Sequence, residues 1–179
     1  MALQSLTGNH GRRGTGVISK QGLAAPKTIA KLQRPDLAPD GTRTVNIVDI
    51  PDLLLDESYD PRLAAILIYN HNPVSTHPNQ IKMIKALKRK DLFIAGCDII
   101  MNDSMLFADV ILPAVSHFEH DDIYTAYGQH YVQRAAPVIP PVGEGLPNTE
   151  IFRRLAARFG YDNPTFLEND TELMDAAID

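Results

Sequence analysis

Residues 63–69 (LAAILIY) run apolar without a break and without alternation. A strand of that kind has no solvent side, which predicts a central strand of a parallel sheet, buried on both faces. The polar loop Asn70-His71-Asn72-Pro73 follows, then a helical segment over residues 79–90 with Ile81, Ile84 and Leu87 on one side and lysines opposite. A second apolar run, residues 92–95, ends in Gly96-Cys97-Asp98. Asn102 or Asp103 then caps a short helix through Phe107, because either side chain accepts from orphan amides. Residues 109–112 read as a third strand, stopped by Pro113. Strand, helix, strand, helix, strand implies right-handed crossovers and a parallel sheet. The fold class is therefore α/β: a partial Rossmann-like, doubly wound domain with a mainly parallel sheet, an irregular N-terminal lead-in and a helical C-terminal tail.

The flanks are less regular. Residues 1–44 hold Gly8, Gly11, Gly14, Gly16, Gly22, Pro26, Pro35, Pro39 and Gly41, and only residues 27–32 show helical pattern. A long irregular lead-in of that kind is expected to pack against further material. Residues 45–50 read as a short strand and residues 51–60 as a turn or single helical turn. Beyond Pro113, residues 131–133 read as a short strand and residues 137–147 as an extended connector. Asn148 or Thr149 is placed to cap a helix whose apolar positions are Ile151, Phe152, Leu155, Ala156 and Phe159, with Gly160 as its stop. A last helix begins near Thr171 and runs to the end, as a truncated helix would. The organisation expected is a lead-in over 1–44, an incomplete α/β domain over 45–160 and a truncated helical tail over 161–179.

Bulk properties exclude several functions. A net charge of −5 makes the chain a poor polyanion binder, so nucleic acid is not an expected partner. The one dense basic cluster, Lys82, Lys85, Lys88, Arg89 and Lys90, reads as the solvated face of a helix. With Cys97 as the only cysteine, neither a disulfide nor a Cys-based zinc site nor an iron–sulfur cluster can be built from this chain alone. No apolar run approaches the roughly 20 residues of a membrane span. No signal peptide opens the chain, so the location expected is cytoplasmic, any export signal belonging to a longer parent.

Asp98 is the strongest candidate for chemistry. At the carboxyl end of a buried strand, its carboxylate can accept two hydrogen bonds from the N1–H and N2–H₂ donors on one edge of guanine, a directional, charge-assisted pair. The bland reading is a helix cap or a solvated loop acid. Asn72, held away from helix by Pro73, offers a donor and an acceptor suited to a ribose or a diphosphate edge; its bland reading is an Asx-turn serving its own backbone. Glu119-His120-Asp121-Asp122, with His117 and His130 nearby, is rich in titratable groups but shows no familiar zinc spacing, and no metal site is expected. Cys97 has no adjacent base and reads as packing beside Asp98. No catalytic residue is assigned. The glycines of residues 8–16 follow no clear strand and are weak as a phosphate loop.

Several segments, in order, resemble the molybdopterin oxidoreductases of the dimethyl sulfoxide reductase type, which carry bis(molybdopterin guanine dinucleotide). Residues 6–14 (LTGNHGRRG) match a turn before the second nucleotide-binding domain. Residues 69–73 match a strand with its x-N-P loop, and Gly96-Cys97-Asp98 a strand ending in x-D. Residues 108–113 (ADVILP) follow as in the family, and residues 118–121 stand where the family has E-K-[DE]-G. The resemblance implies that Asn72, Cys97 and Asp98 contact one guanine dinucleotide arm, with His120 in the place of a frequent lysine. Asp122 replaces the usual glycine, and Gln21-Gly22 reverses a cofactor-contacting Gly-Gln turn.

The resemblance also implies a longer parent holding the molybdenum cofactor and 4Fe-4S, with other domains or an electron-transfer subunit as partners. Such a parent would contain an iron–sulfur region, a first nucleotide-binding half, a molybdenum ligand and a C-terminal barrel-like domain, none of which has a counterpart here. The isolated chain is then expected to retain no cofactor tightly, to be inactive, and to expose sticky helix faces. The alternative is a non-catalytic structural or assembly module, like the related domain in the large iron–sulfur subunit of respiratory complex I. An unrelated Rossmann-like binder is disfavoured by the ordered motifs.

Overall fold

The structure is a computed structural model and describes residues 2–16, 33–125 and 131–178. The helical pattern over residues 27–32, Gln21-Gly22 and His130 lie outside the described residues. A short helix, α1 (Ala2–Leu6), opens the chain, and a 3-10 turn covers Pro35–Leu37.

Residues 45–50 do not form the expected strand. They make a 3-10 turn (Ile47–Asp49) that runs into α2 (Ile50–Leu55). Two local features decide this. Asn46 accepts from the Val48 amide at 3.2 Å, and Pro51 falls in the first helical turn, where a missing N–H costs nothing.

The middle of the chain follows the expected order. β1 (Ala65–Tyr69), α3 (Pro73–Thr76), α4 (Gln80–Leu87), β2 (Phe93–Asp98), a 3-10 turn (Met105–Phe107) and β3 (Val110–Pro113) succeed one another. The sheet is parallel in the order β1-β2-β3, with Ile68 opposite Gly96 and Cys97 opposite both Tyr69 and Leu112. The α/β class with a parallel sheet is as expected, but the central strand is β2 rather than β1. Among the described residues β1 is an edge, and Leu67 and Tyr69 on it are 43% and 40% exposed.

Side chains alternate along each strand, and the two faces of the sheet hold separate clusters. On one face Ile68 and Ile94 pack with Leu54, Met83, Leu87 and Met105 from the helices and the 3-10 turn. In α4 the buried stripe is Met83, Ala86 and Leu87, while Ile81 is 83% exposed. A spacing of strict threes drifts around a helix, whereas 83, 86 and 87 keep to one side. The basic cluster is not simply solvated. Lys82 pairs with Asp52 at 2.6 Å, and Arg89, paired with Asp91, also caps α2 by donating to the Leu54 carbonyl.

Beyond β3 an antiparallel pair of strands, β4 (Asp122–Thr125) with β5 (Val132–Ala135), precedes α5 (Asn148–Phe159) and α6 (Asp170–Ile178). Gly160 at φ 74° ends α5 as its lack of a Cβ allows. Neither Asn148 nor Thr149 caps that helix: the capping position is Pro147, with no side-chain bond. The α5 side chains instead build the second cluster, in which Ile151 packs on Cys97 and Ala114, and Phe152 meets Tyr69 edge-on at 4.9 Å. Helices therefore cover both faces only at the carboxyl end of the sheet. Toward its amino end Phe93 and Val110 stay 50% and 44% exposed. Among the described residues no helix is long and apolar enough to cross a membrane.

Candidate functional site

The carboxyl ends of β1 and β2 place two loops side by side, residues 70–74 and 98–104. The Asn70 amide, at positive φ, donates to the Cys97 carbonyl at 3.0 Å and joins the two strand ends. Past Asp98 the chain folds back over its own strand. A Cβ at Gly96 would lie 2.3 Å from Met105 Sδ, so the glycine leaves the space that the buried Met105 side chain fills.

A hydrogen-bonded chain links the loops. Asp98 Oδ1 accepts from the Ile99 amide at 2.7 Å, and Oδ2 from Asn102 Nδ2 at 2.7 Å. Asn102 Oδ1 accepts from the amides of Ser104 (2.9 Å) and Met105 (3.2 Å), but the capping position of the short 3-10 turn is Ser104, with no side-chain bond, so neither Asn102 nor Asp103 is the cap expected. Ser104 Oγ–H donates to Asn72 Oδ1 at 2.7 Å and accepts from the Val74 amide at 3.0 Å. Ser104 is fully buried; a buried hydroxyl left without an acceptor would cost about 1–3 kcal/mol. The network thus fixes both loops.

The two bland readings fare differently in this geometry. Asn72 precedes α3 without capping it, so its side chain does not serve its own backbone. Asp98 does organise its own loop, yet among the described residues each carboxylate oxygen has one protein donor and keeps a lone pair free. Among the described residues Asn72 Nδ2 has no partner, and it is not sealed from solvent. Ile99, Ile100 and Met101 stand 56%, 65% and 61% exposed immediately beside Asp98, forming an apolar lip. The two loops therefore present acceptors at one end, donors at the other and apolar surface beside the acceptors.

The other sequence candidates lie apart. Cys97 is buried against Ala114 and Ile151, and its thiol donates to Asn148 Oδ1 at 3.7 Å. Burial, and to a lesser degree the neighbouring Asp98, raises its pKa, which makes it a poor nucleophile. His120 faces a different cleft of about 450 Å³, lined also by Tyr69, Asn70, Asp122 and Asp170. Its Nδ1–H donates to the Ser116 carbonyl at 2.9 Å, and Nε2 lies 3.8 Å from Asp122. The structure thus joins Asn72 and Asp98 and leaves Cys97 beneath them and His120 beside them. Among the described residues no three His, Cys, Asp or Glu side chains converge on a metal position.

Sequence reasoning missed Ser104, and it credited Asn102 only with a cap. The i, i+4 spacing of Asp98 and Asn102 was the available signal for that bond. Nearby, His71 and His77 bond through their Nε2 atoms at 2.6 Å and brace the first loop; burial, then His71, lowers the His77 pKa.

Comparison with known proteins shows what the chain as a whole is similar to. The family model for the molybdopterin oxidoreductases, "Molybdopterin oxidoreductase", matches residues 2–158. The "Probable oxidoreductase YoaE" of Bacillus subtilis is 35% identical over 99% of this chain and 26% of its own length. The alpha subunit of an F420-dependent formate dehydrogenase from Methanocaldococcus jannaschii is 30% identical, over 89% of this chain and 26% of the subunit. Among solved structures, acetylene hydratase from Pelobacter acetylenicus superposes with a TM-score of 0.63 at 21% identity, covering 75% of this chain and 18% of that one, a likeness of fold. The chain spans about a quarter of the length of the curated relatives it matches.

Proposed function

The chain belongs to the molybdopterin oxidoreductase family, and from that premise we propose that it positions one guanine dinucleotide arm of the molybdenum cofactor in an oxidoreductase. The observation that carries this reading is the paired loop: Asp98 with a free lone pair on each oxygen, tied through Asn102 and Ser104 to Asn72 with its amide donors open. Guanine is the base whose edge offers two adjacent donors, N1–H and N2–H₂. A carboxylate in fixed orientation accepts both, while adenine offers no such pair. The apolar lip of residues 99–101 suits the face of a purine. Asn72 then meets the sugar–phosphate end, and Cys97 supports the strand end from below. His120, held by Ser116 and Asp122, contributes to the neighbouring cleft.

The donor set fits the nucleotide end of such a cofactor. The cofactor itself supplies the redox chemistry, and the protein supplies binding and orientation. In this reading the oxidoreductase also carries 4Fe-4S, bound by residues other than Cys97, with the molybdenum ligand and an electron-transfer partner supplied outside these residues. The chain by itself holds the nucleotide weakly and turns over no substrate.

Calorimetric titration of the purified chain with GDP, IDP and ADP tests the reading. GDP is expected to bind. IDP lacks the 2-amino donor and is expected to bind at least about tenfold more weakly, since a hydrogen bond to a charged group contributes roughly 1.5–3 kcal/mol. ADP is expected not to bind, and Asp98→Ala to abolish the preference for guanine. Equal affinity for GDP and ADP overturns the assignment. Failure of all three to bind would favour a non-catalytic structural module.

A further inference from the structure

The geometry points to Ser104 as a positioning residue that fixes which end of the Asn72 amide faces the ligand, and so makes the Asn72 end of the site a donor-only subsite for a phosphate oxygen. This inference rests on the guanine dinucleotide reading above and specifies its second half.

An asparagine amide can turn end for end, presenting either oxygen or nitrogen to a ligand at almost no intrinsic cost. Here the choice is made by the partner. Ser104 is fully buried, and its oxygen already accepts from the Val74 amide at 3.0 Å. A backbone N–H can only donate, so the hydroxyl proton must find an acceptor elsewhere. Among the described residues that acceptor is Asn72 Oδ1, at 2.7 Å. Turning the amide over would put Nδ2 against the hydroxyl and strand its proton in the interior. The buried serine therefore locks Oδ1 inward and leaves the two N–H donors of Nδ2 outward.

The serine is itself held. Its amide donates to Asn102 Oδ1 at 2.9 Å, and Asn102 is tied to Asp98. Met105, directly after it, is buried against Gly96. Little freedom remains for the hydroxyl to retreat and release the amide.

A group that can only donate is complementary to one that can only accept. Ribose hydroxyls both donate and accept, whereas the non-bridging oxygens of a diphosphate only accept at neutral pH. Guanine O6 and N7 are pure acceptors too, but they belong to the base held at the Asp98 end, so the outward amide at the other end of the network is assigned to phosphate. Asp98 reads the base and Asn72 reads the phosphate, so the two ends respond separately to changes in ligand.

Titrating the full chain with GDP and with guanosine, for the unaltered protein and for Ser104→Ala, separates the roles. Ser104→Ala is expected to weaken GDP binding about tenfold and guanosine binding by less than twofold. A merely structural serine would weaken both alike; equal losses, or no loss, overturn the inference. Should Ser104→Ala fail to fold, Asn72→Asp decides. It keeps an acceptor for the hydroxyl but turns a negative oxygen outward, and is expected to abolish the advantage of GDP over guanosine. An advantage that survives Asn72→Asp overturns the inference. If the unaltered chain binds neither ligand, the guanine reading falls, and this inference with it; if it binds both and only the Ser104 contrast fails, the guanine reading stands.

Discussion

Gly96 shows how one absent side chain makes room for a buried neighbour of the site. It lies in β2 opposite Ile68 and Ile111, and Met105 packs onto it from the turn that carries Ser104. A methyl group at this position would meet Met105 Sδ at 2.3 Å and Cε at 3.1 Å. Gly96→Ala is expected to destabilise the fold by about 1–3 kcal/mol, as overpacking of a buried contact does. Urea denaturation measures this, and Met105→Ala in the same chain should recover part of the loss. If the two substitutions are additive, the contact is not the cause. Asp98 and Asn72 were legible in the sequence because each stands where an apolar run ends. Ser104 was not, because a lone serine in a turn carries no pattern and its importance comes from burial and from a partner 32 residues away.

Among the elements past the sheet, one acid fastens the connector before α5. Glu119 accepts from the amide and hydroxyl of Ser116 (2.7 and 2.5 Å) and from the Val142 amide (2.6 Å), pinning the connector to the segment after β3. The bonds from the Ser116 hydroxyl and amide, and then from Val142, lower the Glu119 pKa below its ordinary value of 4.5. A carboxyl depressed in the folded state contributes stability above the unfolded pKa and loses it as pH falls through the folded one. The clamp is therefore expected to be complete above about pH 5 and to weaken as the pH drops below 4.5. Amide exchange at Val142, followed from pH 6 to 3 in the unaltered chain and in Glu119→Gln, checks this. Parallel pH profiles in the two proteins would show that Glu119 is not the titrating group.

The same scale shows what sequence reasoning could and could not reach. The strands and α4 follow from hydrophobic runs and their spacing. Residues 45–50 were misread because Val45, Ile47 and Val48 resemble a strand, while the Asn46 turn and Pro51 outweigh that composition. Asn148 was misread as a cap because its side chain is drawn to the Cys97 thiol at 3.7 Å.

At the scale of the whole molecule, the parallel sheet and its ordered loops were legible, but strand order was not. An unbroken apolar run predicts burial, and β1 has that composition even though Leu67 and Tyr69 are partly exposed at the edge of the described sheet. Phe93 and Val110 lie open on the same sheet, so the sticky surface expected from the sequence falls on strands as well as helices. The chain corresponds to about a quarter of the length of these relatives. The residues that bring two strand ends together around Asp98 carry the functional account. A nitrogen–proton correlation spectrum of the labelled chain, recorded during titration with GDP, tests it most directly. The account predicts that the shifted resonances cluster in residues 70–74 and 98–104, with the Asn72 side-chain amide among them. Shifts confined to the His120 cleft, or spread evenly over the chain, would contradict it.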